Sequence, residues 1–365
     1  MGGVQVLGVR TLNLQKTNVI EKGAGQVLVE SQFKNAIKKH LGDVKFDLIL
    51  YSTPPITLMG VVKYLKKKNP QATTYLLLKD IFPQNAVDIG MMPGASFKFQ
   101  VSSFKSWVGL GKYQLYKHFR KQEKQLYKVS DYIGCMSPAN VEYILKHNPE
   151  VQRDCIEVAP NSYEKQDPFI LTQDERNAIR QKYNLPTDRP VFVYGGNLGK
   201  PQGIPFLIKC LDANSKRDDC HFLVVGNGTE FGRMENWYNE NKPKNVSLYA
   251  RLPKEDYDQL VRACDVGLIF LDYRFTIPNY PSRLLPYLME KKPIIAATDQ
   301  NCDTGSIAEA NGYGYWCPSN DVAAFTGAVD KILQSDQKQM GENGYQFYLD
   351  NYTVDHTYDI IMSHV

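Results

Sequence analysis

Short apolar runs alternate along this chain with longer stretches whose apolar residues recur at helical spacing, and the rhythm is played twice. In the first half, VQVLGVRT (residues 4–11) alternates apolar with polar and predicts a strand. A helix is expected over residues 24–40, where Val27, Leu28, Phe33, Ile37 and the following Leu41 share a face. FDLILYSTPP (46–55), ATTYLLLKDIFP (72–83), YIGCMS (132–137) and CIEVAPNS (155–162) predict further strands, and ITLMGVVKYLKKKNP predicts a crossover helix. In the second half VFVY, HFLVVGNGTE, NVSLYARL, VGLIFLD and PIIAAT predict strands, and GYGYWCPSND ends the series. KEDYDQLVRACD is helical, with Tyr257, Leu260 and Val261 inward, and DERNAIRQKY reads as a helical stretch in the connection between halves. Strand–helix alternation of this kind implies an α/β protein with parallel sheets covered on both faces.

Two doubly wound domains follow, residues 1–165 and 166–350, with an amphipathic helix over 351–365 packing back on the first. The length of 365 residues suffices for two cores. Seven scattered cysteines, an odd number without a CxxC pair, point to reduced thiols rather than a disulfide framework or a zinc site. MGGVQVLGVRTLNLQ lacks the layout of a signal peptide, and no apolar run reaches the roughly twenty residues of a membrane span. A net charge of +4 is too small to argue for nucleic acid. The chain is therefore expected in the cytoplasm.

Ligands of open parallel sheets gather beyond the carboxyl ends of the strands. In the first half those positions carry Ser52, Thr53, Lys79 and Asp80. In the second, VFVY runs into Gly195, Gly196, Asn197, Leu198 and Gly199, and LVVG into Asn227 and Gly228. Glycines there permit positive φ and close approach of backbone to a phosphate, although the pattern is neither the dinucleotide nor the Walker fingerprint. TIPNYPSRLLPYLMEKKP (276–293) predicts an extended approach held by Pro278 and Pro281, then a helix starting at Ser282. Ser282, Arg283 and free backbone N–H groups could together hold an anion. Residues 95–130 interleave lysines with aromatics, facing one acid, Glu123. That composition suits the headgroup region of an anionic bilayer better than nucleic acid, and interfacial contact is favoured over a solvated helix whose aromatics are core.

VYGGNLGKPQG, FLVVGNGTE, LPKEDYDQLVRACDVGLIFL and PSRLLPYLMEKKPIIAATD together resemble glycosyltransferase family 4, of the GT-B fold. LILYSTPPITL and LLLKDIFPQNAVDIG resemble bacterial capsule, O-antigen and exopolysaccharide enzymes of that family. The resemblance implies two Rossmann-like domains facing across a cleft and retaining transfer of a hexosyl or N-acetylhexosaminyl group. The donor would be a nucleotide-sugar, UDP-linked, and neither metal nor cofactor is implied. Gly196, Asn197, Gly199, Gly226 and Asn227 would serve its phosphates and nucleotide. Arg251, Ser282 and Arg283 would serve the uridine and diphosphate, and Tyr287 the ribose region. Asp80 and Arg283 stand as the catalytic candidates, with Ser52, Thr53 and Lys79 on the acceptor side. The acceptor would be a lipid-linked oligosaccharide, met at the inner face of the cell membrane.

Two departures qualify the resemblance. Pro278 and Pro286 occupy the positions of two glutamates common in the family, and Pro286 is expected to remove a helical hydrogen bond at a cost of about 3 kcal/mol. The strand and glycine turn with which the family opens have no counterpart before residues 4–11, so the first domain is expected to lack its first strand. Those departures support an alternative, a non-catalytic GT-B relative that binds a nucleotide-sugar or a partner subunit, or self-associates. A sugar-nucleotide epimerase is the remaining reading, and the six histidines do not fall at strand ends as it would require.

Overall fold

The computed structural model describes residues 3–10, 19–94 and 104–365, without the side chains of 19–28 and 104–108. The chain divides into two compact units, Met1–Pro160 with Asp359–Val365, and Asn161–Tyr358. Strands of the first unit are β1 (Leu48–Thr53), β2 (Thr73–Leu78), β3 (Tyr132–Cys135) and β4 (Ile156–Val158). They pair in parallel in the order β1-β2-β3-β4. Crossovers that advance steadily in one direction, all right-handed, place their helices on the same face of a sheet. The opposite face needs another cover. The carboxy-terminal residues provide it, as Ile361 packs against Tyr75 and Ala159 and the His364 ring stacks on Tyr132 at 3.7 Å between centroids.

The second unit contains β5 (Val191–Asn197), β6 (His221–Asn227), β7 (Val246–Tyr249), β8 (Val266–Phe270), β9 (Ile294–Thr298) and β10 (Gly314–Pro318). Their order is β10-β9-β8-β5-β6-β7, so the chain leaves β7 on one edge and returns to the far side of β5. Strand alternation then makes two cores. Phe192, Tyr194, Phe222, Val224 and Phe270 fill one face, and Val193, Leu223, Val225, Ile269 and Ala296 fill the other. Helix Gln173–Lys182 belongs to this unit rather than to a connection. Its Arg180, 2% exposed, donates to the carbonyls of Ala263, Pro186 and Arg189 and pairs with Asp265, which Arg176 also contacts.

Three expectations need correction. Residues 4–10 form no strand; Val4 and Val6 are exposed, and apolar alternation without a partner strand has nothing to bury against. Thr11 lies outside the described residues. In helix Phe104–Val129, Tyr116, Phe119 and Tyr127 are buried and Glu123 is tied to Arg120 and Tyr127, so these aromatics are core. Lys112, Lys117, Lys121, Lys124 and Lys128 form its exposed side, and residues 95–103 of the basic stretch lie outside the described residues. The third concerns Pro286. The helix after the PSRLL turn is only Leu284–Met289, which makes Pro286 its third residue. An N–H there has no intrahelical partner in any case, so the expected loss does not arise.

Candidate functional site

In the second unit the strand order reverses between β5 and β8, the switch point at which open parallel sheets offer a crevice beyond the carboxyl ends of the strands. β5 enters it as Gly195-Gly196-Asn197, level with Val225-Gly226-Asn227 of β6. Gly196 adopts φ +121°, a conformation side chains avoid. A Cβ on Gly226 would lie 1.9 Å from the Gly196 carbonyl oxygen. Both glycines are therefore required by the strand ends themselves. The following turn is closed by Gln202, whose Oε1 accepts from Asn197 Nδ2 at 2.9 Å and from the Gly199 N–H at 3.2 Å. Asn227 turns its Oδ1 onto the Gly228 N–H at 2.7 Å.

Arg283 is aimed at this turn. Its guanidinium carbon lies 4.6 Å from the Tyr194 ring centroid, a cation–π distance, and its Nη2 would lie 3.5 Å from a Cβ placed on Gly196. Burial opposes its charge, and the groups acting on it are Tyr194, Tyr287 and Tyr257, with no carboxylate among them. Burial raises the pKa of all three phenols, that of Tyr257 to about 12, so none supplies a counter-charge near neutral pH. Nη1 of Arg283 is closed to solvent and has no hydrogen-bond partner. An unpartnered guanidinium nitrogen beside a glycine turn at a switch point has the chemistry to hold an anion.

Other expected residues divide. Arg251 is exposed just past β7, and the register brings it level with Asn227. Ser282 is exposed one residue before Arg283, but it caps nothing because the helix begins two residues later. Tyr287 is not placed to face a ligand. It is 1% exposed, and its hydroxyl donates to the Val193 carbonyl at 3.0 Å while accepting from the Gly195 N–H. It fixes the glycine strand from behind. Tyr194 and Tyr257 were missed by the sequence reading because a tyrosine in an apolar run reads as core; only their convergence on Arg283 distinguishes them.

In the first unit, Ser52 and Thr53 end β1 while Lys79 and Asp80 follow β2, and the register sets Thr53 opposite Leu78. Thr53 Oγ1 donates to the Asp80 carbonyl at 3.4 Å. Lys79 and Asp80 are exposed, although burial around the Asp80 carboxyl raises its pKa above the ordinary value. These four residues form one polar rim. Among the described residues no group of three or more His, Cys, Asp or Glu could hold a metal ion.

Residues 175–347 match the model of the family described as Glycosyl transferases group 1. The chain is 22% identical over 328 residues to a probable glycosyltransferase, WbjE, of Pseudomonas aeruginosa, covering 89% of this chain and 75% of that protein. In structure it is similar to sucrose-phosphate synthase from Thermosynechococcus elongatus, with a TM-score of 0.70 and 17% identity over 97% of this chain and 81% of that one. It is also similar to Anabaena Alr3699/HepE in complex with UDP, with a TM-score of 0.64 and 14% identity over 93% and 83% of the two chains. Likeness at that identity speaks for the fold: two Rossmann-like parallel α/β units of the GT-B kind.

Proposed function

We propose that this chain, whose second unit carries a glycosyl transferases group 1 domain, moves a hexosyl or N-acetylhexosaminyl group from a nucleotide-sugar, UDP-linked, to a saccharide acceptor with retention. The observation that carries the reading is the Arg283 guanidinium, half-buried over Tyr194 with an Nη1 that is closed to solvent and unpartnered. A diphosphate at the Gly196 turn would satisfy that donor. As the glycosidic bond to the donor breaks, negative charge grows on the leaving diphosphate, and a cation already in place stabilises it without reorganisation. On this reading Arg283 takes the part a divalent metal plays elsewhere, and transfer is expected to continue in EDTA. Similarity to Anabaena Alr3699/HepE in complex with UDP supports the choice of nucleotide.

Asp80, with Ser52, Thr53 and Lys79, is proposed to meet the acceptor hydroxyl. A lipid-linked acceptor fits the lysine side of helix Phe104–Val129, where each cation near an anionic surface contributes about 1 kcal/mol. No described helix is long and apolar enough to cross a membrane, so such contact would be peripheral, on the inner face.

The test is titration calorimetry of the full chain with UDP and UDP-sugars, followed by nucleotide-release assays on lipid-linked acceptors. Loss of a charge-assisted hydrogen bond costs roughly 1.5–3 kcal/mol, so Arg283→Ala is expected to weaken UDP about 10- to 100-fold. Unchanged UDP affinity in that variant would remove the site assignment. Tight UDP-sugar binding without turnover on any acceptor would favour a binding protein over an enzyme.

A further inference from the structure

A second set of unsatisfied groups lies farther along the same strand ends. Phe270 is level with Ala297, and Pro318 with Thr298. The pairing continues through Leu271 N–H to Ala297 O at 3.0 Å and Ser319 N–H to Thr298 O at 2.9 Å. Asp272, Asp299 and Ser319 therefore emerge side by side beyond β8, β9 and β10. Asp299 and Ser319 border a hollow of about 270 Å³ also lined by Tyr273, Thr276, Gln300 and Asn320, among others.

Asp299 is 2% exposed and Ser319 is 1% exposed. Asp299 Oδ1 accepts from the Asn301 and Cys302 N–H groups at 2.9 and 3.0 Å. Its Oδ2 and the Ser319 Oγ are both closed to solvent without a hydrogen-bond partner. Arg274, the cation on this rim, is engaged by Asp272 through Nε and Nη2 at 2.8 and 2.9 Å. Burial pushes the Asp299 carboxyl up to about 6 against the pull of those backbone donors. Two buried oxygens left unpaired in the wall of one hollow would be satisfied by a ligand that brings hydrogen-bond donors.

We propose that this hollow receives the hydroxyl-bearing ring of a saccharide, with Asp299 accepting one hydroxyl hydrogen and Ser319 exchanging a hydrogen bond with another. An anion is disfavoured by the carboxylate. Apart from Phe275, Pro318 and the Asp272-bound Arg274, the remaining lining is amide and hydroxyl, and exposed Tyr273 offers an aromatic face. Strand spacing makes the position suitable for the donor's own sugar. β9 lies two strands from β5, so at about 4.8 Å per strand the hollow is roughly 10 Å from the Gly196 turn. This inference rests on the glycosyltransferase reading and names the residues that would recognise the sugar.

Titration calorimetry of the full chain tests it, with UDP, UDP-glucose, UDP-N-acetylglucosamine and the corresponding free methyl glycosides as probes. Asp299→Asn retains the acceptor for the two amides and changes only the free oxygen. It is expected to weaken the UDP-sugars at least tenfold and leave UDP unaltered, and Ser319→Ala is expected to weaken them about threefold. Loss confined to the free glycosides would assign the hollow to an acceptor saccharide instead of the donor's sugar. If wild type binds no sugar of the panel, or both variants bind every probe as wild type does, the proposal is overturned and water fills the hollow. Should UDP itself fail to bind, the Arg283 assignment falls, while the glycosides still decide on Asp299. Thermal melts guard against misfolding, and Ser319→Ala keeps the question open to refutation if Asp299→Asn does not fold.

Discussion

In the second unit the strand order doubles back at β5, whereas in the first it runs from β1 to β4 without reversal. The consequence is visible in how each sheet is covered. Doubling back sends crossovers to both faces, and the second sheet carries two apolar cores made by its own helices. It also makes the switch point beside which Gly196 and Arg283 lie. A sheet that never reverses has neither benefit. The first unit needs Asp359–Val365 to cover a face, and Leu50 of edge strand β1 is still 46% exposed. Similar local sequence patterns thus give one unit that is closed and furnished with a ligand crevice, and one that depends on a distant segment.

The largest expected effect breaks the self-sufficiency of the second unit. Asp265 accepts from Arg176, Arg180 and the Val191 N–H, and so joins helix Gln173–Lys182 to the start of β5. Asp265→Ala would leave Arg180 buried with a charge unpaired, a loss of about 3–5 kcal/mol. Urea denaturation followed by tryptophan fluorescence should show it, since Trp237 and Trp316 lie in this unit. An unchanged midpoint would mean that the helix is a passive attachment after all.

Next comes the ligand-bearing rim. The Asp299 carboxyl has its pKa at about 6 in the folded chain and roughly 3.9 when unfolded. The folded state therefore holds a proton that the unfolded state has released, and stability declines as pH rises from about 4 to 6. At pH 7 the ionised group costs on the order of 2–3 kcal/mol. Asp299→Asn should raise the melting temperature at pH 7, with the gain shrinking towards pH 4. A melting difference independent of pH would show that the carboxyl is satisfied by something other than a proton. This sharpens the comparison, because such stored cost belongs to a rim shaped for ligands rather than for stability.

Sequence pattern revealed strands and helices well because the central strands β5, β6, β8 and β9 are buried on both faces, and continuous apolar runs bounded by Gly or Pro are hard to misread. It failed for residues 4–10, where alternation promises a half-buried strand but cannot supply the neighbour that makes one. Arg283 was legible from the PSRLL turn. Its tyrosine surroundings were not, since Tyr194, Tyr257 and Tyr287 come from β5, helix Lys254–Ala263 and helix Leu284–Met289. Asp299 was equally hidden: an acid ending an apolar strand looks like a solvent cap until Ser319 of the next strand end is found beside it. Pro286 was misjudged because its cost depends on where the helix begins, and only the structure places that start at Leu284.

The smallest effect probes the borrowed cover of the first sheet. His364 Nε2 meets Glu157 Oε1 at 2.8 Å, the same oxygen that accepts from the Tyr75 hydroxyl at 2.7 Å, while its ring stacks on Tyr132. The His364 backbone carbonyl also accepts from Thr73 Oγ1 at 2.8 Å, a bond that survives removal of the side chain. His364→Ala therefore deletes the stack on Tyr132, a looser ring contact with Tyr75 and one side-chain bond. Stacking contributes about 0.5–1.5 kcal/mol and a hydrogen bond about as much, so a loss near 1–2 kcal/mol is expected. Hydrogen exchange should locate it in β2 and β3, with amides of β5 and β6 unaltered. Faster exchange in β5 and β6 as well would mean that the two sheets open together, and the contrast between a self-covered and a tail-covered sheet would not hold.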